Sequence, residues 1–221
     1  MGSFEELVST PFAGKVNALC WSRTLEGDFG EIVSALDVKT GISTITEERL
    51  DSLPLTAAGR IARETILKDL ERLRALDLAP ALDCVNGYEH DLNAGPVPTH
   101  VQSFHVDSAT VPADTYLCTY AGRPSEGLPN EQAMRRVDIP ETRAELLDLY
   151  GGPDDEDFRE YLNENFFDLH YAPLPTARPF QFGVGNLWRI ACEYAGSPVA
   201  PCIHRAPDTV PGESARLLLI S

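Results

Sequence analysis

The chain has 221 residues, 43% of them hydrophobic and 24% charged, and its 18 basic and 34 acidic side chains give a formal charge of −16. That length holds one large domain or two small ones. The acidic balance repels phosphate backbones and anionic bilayers, which argues against nucleic acid and membrane partners, and no run of about 18 apolar residues marks a transmembrane helix.

The first residues, Met1 to Glu6, are acidic where a secretory signal is basic and then apolar, so a cytoplasmic location is expected. Residues 15–22 read as a short strand. Residues 27–37 read as a helix with Phe29, Ile32, Val33 and Leu36 on one face. Thr44 followed by Glu47 suggests a capping box opening a short helix near 46–52. The strongest helical pattern spans 56–77: Thr56 can cap it, and Ile61, Ala62, Ile66, Leu70, Leu73 and Leu76 recur at the helical period. This is the pattern of a helix that buttresses a sheet.

From about residue 80 the pattern changes to short β-prone runs separated by Pro and Gly: 81–88, 98–107, 114–121, 132–137, 180–184, 187–194, 198–204 and 214–220. Such spacing points to a barrel or sandwich. Residues 140–166 interrupt it with two helical stretches, 141–149 and 154–164, and the acidic run at 154–157 reads as a solvated helix start. The expected organisation is a single α+β domain, with a helical support layer over about 1–80 and a β-core over about 81–221. The five cysteines include no Cys-x-x-Cys pair, so neither a disulfide framework nor a zinc ribbon is suggested.

His105 and Asp107 stand two apart in a strand-like run, so both side chains leave the same face. An imidazole and a carboxylate so placed are part of the two-histidine, one-carboxylate facial set of non-haem iron enzymes. His204 lies in a late strand run and shares its parity with Cys202. Arg216 opens the last run and shares a face with Leu218 and Ile220. An arginine inside a core requires an anionic partner, which a bound carboxylate can supply in bidentate fashion. His90, His100 and His170 have no partner at a diagnostic spacing.

Over residues 98–221 these features resemble the Fe(II)/2-oxoglutarate-dependent oxygenase superfamily, whose signature is His-x-Asp/Glu, a distal His and an Arg in the last strand. The turn Gly183-Val184-Gly185-Asn186 is similar to the turn that often precedes a core strand in that fold. The resemblance implies a double-stranded β-helix (jelly-roll or cupin-like) core. It implies Fe(II) held by His105, Asp107 and His204, and 2-oxoglutarate held by Arg216. Tyr116, Cys118 and Tyr120 alternate on the strand after the His-x-Asp, where a tyrosine such as Tyr120 either hydrogen-bonds the co-substrate or packs its ring in the core. The implied activity is a hydroxylase-type reaction of O₂ with a small-molecule or amino-acid-like substrate. The chain departs from the family in carrying Arg216-Leu217-Leu218 where Arg-x-Ser is common. Two other readings stay open: a cupin-type metal dioxygenase that does not use 2-oxoglutarate, and a β-barrel binding module without catalysis.

Overall fold

The computed structural model describes residues 1–88, 95–208, 210 and 212–221. In the N-terminal part each helix is opened by a side chain that accepts a backbone N–H. Ser3 caps α1 (Phe4–Ser9), Asp28 caps α2 (Phe29–Leu36), Thr46 caps α3 (Glu47–Asp51) and Thr56 caps α4 (Ala57–Arg74). The cap of α3 is therefore Thr46, because Thr44 belongs to a strand. Strands β1 (Ala18–Trp21) and β2 (Gly41–Thr44) lie between these helices. Neither α1 nor β2 announces itself in sequence: one is under two turns long, and the other is a half-exposed edge strand whose side chains are mostly small or polar.

The β-rich part supplies β3 (Ala81–Asn86), β4 (Asp114–Ala121), β5 (Glu126–Leu128), β6 (Ala133–Arg135), β7 (Tyr171–Pro173), β8 (Phe180–Gln181), β9 (Leu187–Ala191), β10 (Ile203–Arg205) and β11 (Arg216–Ile220). Helices α5 (Pro140–Tyr150) and α6 (Glu156–Glu164) form the insertion. Asp155 caps α6 and Asp154 pairs with Arg143, so the acidic run is a helix start. The insertion carries a small core of its own, in which Val97, Val137, Leu146, Phe158 and Leu162 pack together.

Six strands form an antiparallel sheet in the order β1-β9-β4-β11-β3-β2. One face is covered by the helices. Ala62, Ile66, Leu70 and Leu73 of α4 meet Leu82, Cys84, Tyr116, Cys118, Tyr120, Leu217 and Leu219 in the main core. Fully burying each such aliphatic side chain contributes about 1.5–3 kcal/mol. Within this core Asp69 of α4 is fully buried and neutralised by Arg23 at 2.8 Å and Arg72 at 3.0 Å.

The other face of the sheet packs on a second layer. That layer combines the sheet β10-β5-β8 with the pair β6-β7, and the segment around His105 joins them through single bridges to His204 and His170. Leu117, Ile190 and Leu218 from the large sheet meet Phe182 and Cys202 from the second layer. The architecture is thus α+β, with antiparallel sheets that do not close into a barrel. The large sheet ends on β1 and β2. The expected strand 98–107 is reduced to bridges at its C-terminal end, since residues 100–103 run through bends and a turn. Among the described residues, no helix is long and apolar enough to cross a membrane.

Candidate metal centre

Pairing brings His105 and His204 together. Each backbone N–H donates to the other's carbonyl at 2.9 Å, a hydrogen-bonded antiparallel pair whose side chains share one face. Phe104, Val106 and Ile203 point the other way, into a cluster with Leu128. His105, His204 and, two residues beyond His105, Asp107 therefore face the space between the layers. Nε2 of His105 lies 3.9 Å from Oδ1 of Asp107, and Nε2 of His204 lies 3.8 Å from the same oxygen. The three donor atoms sit within 4.8 Å of one another, which makes a group able to hold a metal ion.

The atoms behind these donors decide which atoms converge. Nδ1 of His105 bonds the Ser103 carbonyl at 2.8 Å, and Nδ1 of His204 bonds the Cys202 carbonyl at 3.2 Å. A carbonyl only accepts, so each Nδ1 carries the proton and each Nε2 presents a lone pair to the centre. The Thr115 hydroxyl donates to Oδ2 of Asp107 at 2.6 Å, which leaves Oδ1 as the inward oxygen. Burial, and then the neighbouring His204, push His105 down to about 4, so its imidazole is neutral at pH 7. Neutral imidazoles and one carboxylate suit a divalent transition metal.

Arg216 is 5% exposed and faces the same interlayer space from the large sheet, with Leu218. Its guanidinium donates to the hydroxyls of Thr119 at 3.1 Å, Ser125 at 2.5 Å and Tyr88 at 3.3 Å. Among the described residues no carboxylate pairs with it, and Nε has no hydrogen-bond partner. Burial holds its pKa below the ordinary guanidinium range, and the Tyr88 hydroxyl only partly offsets this. Thr115 and Thr119 stand four residues apart on one face of β4. The metal end and the arginine end of the interlayer space are thus about 13 Å apart along the strand.

Tyr120 is not at this site. Alternation along β4 sends Tyr116, Cys118 and Tyr120 to the helical layer and Thr115, Leu117 and Thr119 to the site face. The Tyr120 ring stacks on Phe29 at 5.3 Å, and its hydroxyl donates to buried Asp69 at 2.8 Å. Cys118 sits on that same face, with its thiol pushed up by burial to about 12. The residues that sequence reasoning missed are Thr115, Thr119, Ser125 and Tyr88. The alternation of Thr115, Leu117 and Thr119 was legible, but not which face turned to the metal.

His170 is a second omission. It bridges His105 on the side away from His204, with ring centroids 5.7 Å apart, and is 5% exposed. No spacing rule links positions 105 and 170, and only strand register joins them. His90 lies outside the described residues. The stretch 123–130 contains β5, the strand that pairs with β10 and so supports His204. Arg205 points away from the site and pairs with Glu126. Trp188 stacks on Phe182 at 4.5 Å and lines a groove with Phe180. Comparison of the chain with protein-family models, with curated proteins and with solved structures finds no match.

Proposed function

We propose that this protein is a non-haem Fe(II)- and 2-oxoglutarate-dependent oxygenase that hydroxylates a small-molecule or amino-acid-like substrate. The observation that carries this reading is the pairing, across one interlayer space, of an oriented two-histidine, one-carboxylate group with a buried arginine whose described partners are all neutral hydroxyls. Two antiparallel layers facing each other across the site are also what an open double-stranded β-helix would present.

His105, Asp107 and His204 would hold the iron. Iron bound there, with 2-oxoglutarate and O₂, supplies the oxidising chemistry: 2-oxoglutarate, O₂ and a substrate C–H become succinate, CO₂ and a C–OH. The remaining work falls to the chain. Ser103 and Cys202 carbonyls hold the imidazole tautomers, and Thr115 holds the carboxylate. Arg216 would take the far carboxylate of the keto acid. The hydroxyl that the family often carries two residues after this arginine would here be supplied by Ser125 and Thr119, which accept from Arg216. The apolar surface of Leu117 and Leu218 between the two ends would exclude water from the bound keto acid.

Because those hydroxyls already engage Arg216, a cupin-type enzyme that binds metal without 2-oxoglutarate is the second reading. Anaerobic titration separates the two. On the first reading, Fe(II) binds, 2-oxoglutarate then gives a weak visible charge-transfer band, and a metabolite panel stimulates succinate release. His105→Ala and Asp107→Ala should abolish iron uptake with the fold retained, while Arg216→Ala should weaken 2-oxoglutarate at least tenfold and leave iron in place. Iron uptake with no 2-oxoglutarate effect would favour the second reading, and no iron uptake would sink both.

A further inference from the structure

The metal-bearing layer continues past His105. Successive strand partners run Arg136, His170, His105, His204 and Gly127. Arg135 pairs with Tyr171, Arg136 donates its backbone N–H to the His170 carbonyl at 2.8 Å, and His105 bridges both histidines. Residues directly opposite in a ladder project from the same face at about 4.8 Å per strand. The neighbours of His170, Leu169 and Tyr171, go to the outer cluster with Phe104 and Val106, which leaves His170 on the face of the metal ligands, and Arg136 opens the turn Arg136–Asp138 directly beside it.

On that row two nitrogens lack partners. Nδ1 of His170 is buried with no hydrogen bond, and so is Nε of Arg136. Of the nearby acids, Asp138 pairs with Arg135, and Asp168 accepts from Asn163 through Oδ2 while its Oδ1 has no partner. Among the described residues no carboxylate pairs with Arg136, whose pKa is lowered by burial alone. The opposite end of the row is different in kind. There Gly127 lies under the Phe180 ring, so that side of His204 is lined by hydrocarbon.

We infer that Arg136 and His170 form a second anion site beside the metal, which binds a carboxylate of the primary substrate and turns its reacting carbon toward His105. This rests on the functional reading above and narrows its substrate class to carboxylic acids. A guanidinium and an imidazole N–H can together meet both oxygens of a carboxylate, and such a planar, charged partner would draw the proton of His170 onto Nδ1 and satisfy both unmatched nitrogens at once. Arg216 would bind the co-substrate at one end of the interlayer space, and Arg136 would bind the substrate two strands beyond His105.

The probes are acetate and acetamide, which match in shape and differ in charge. They are titrated into protein loaded with Co(II) and saturated with 2-oxoglutarate, so that Arg216 is occupied, and methyl-proton relaxation by the metal is read. Acetate should show saturable relaxation and acetamide none. Arg136→Gln should weaken the acetate effect roughly tenfold or more, and Arg136→Lys should keep most of it. Co(II) and 2-oxoglutarate affinities should not change, and a thermal melt checks that both variants fold. Equal relaxation of the two probes, or an acetate effect that Arg136→Gln leaves intact because acetate sits on the metal alone, overturns the inference. If wild type takes up no Co(II) or no 2-oxoglutarate, the functional reading falls separately. The same acetate titration is then read by carboxylate ¹³C line width, which needs no metal, and Arg136→Gln decides the anion site.

Discussion

The chemistry at residue scale depends on hydrogen bonds made behind the donor atoms. Thr115 contributes no ligand, yet its 2.6 Å bond to Oδ2 of Asp107 sets which carboxylate oxygen turns inward. Thr115→Val keeps the shape of the side chain and removes the hydroxyl. It should leave the fold intact and weaken Fe(II) about 10- to 100-fold, as measured by anaerobic titration, because partners that orient ligands carry that much metal affinity. Tyr120 makes the reverse case. Tyr120→Phe removes one hydrogen bond from buried Asp69 and should cost about 1–3 kcal/mol in urea unfolding, with 2-oxoglutarate affinity unchanged. A fall in co-substrate affinity would put the tyrosine back at the site. Parity along β4 explains why Tyr120, which sequence offers to the co-substrate, serves the core while Thr115 meets the ligands. A strand buried on both faces shows no polar side, so its alternation marks two faces without saying which one meets the ligands.

At the scale of elements, the parts legible in sequence were those with strong internal periodicity or caps. The long helix with its Thr56 cap, the strand 114–121 and the helical insertion all stand close to their expected bounds. Elements that exist only through pairing were not legible. β5 is three residues long and is a strand because β10 and β8 flank it, and the His105 segment extends only where His170 and His204 bracket it. The insertion has a core separate from the main one, so its stability should be separable too. Leu146→Ala, at a fully buried position, should cost about 2–5 kcal/mol locally. Hydrogen exchange should rise across α5 and α6 while iron affinity stays within about twofold, since the segments that carry the metal ligands are anchored by a different cluster. Exchange rising equally through α4 would show that the insertion and the main core unfold as one unit.

At the scale of the whole molecule, the site couples to folding through buried histidines. His105 and His170 are pushed down to about 4 mainly by burial, against about 6.5 in an unfolded chain. A depressed folded pKa means that the unfolded state takes up protons first as pH falls. The stability of the metal-free protein should therefore be full above about pH 6.5 and decline steadily toward pH 4, as denaturant midpoints across that window would record. A flat profile there would show that these imidazoles are not buried neutral in solution. Bound metal should add to stability at neutral pH, by about 2.7 kcal/mol at a hundredfold excess over Kd. The sequence alone determined the chemistry on offer: a His-x-Asp pair, a late histidine, a late arginine and an acidic chain. Those readings depend on residue identity and on a period of two, which are local properties. Only the tertiary structure decided that Asp107 turns Oδ1 inward, that Tyr120 serves the helical core, that Arg216 is held by hydroxyls alone among its described neighbours, and that Arg136 and His170 extend the metal row. Each of these depends on the register between strands far apart in the chain, and register is set by which faces bury together, which local sequence does not encode.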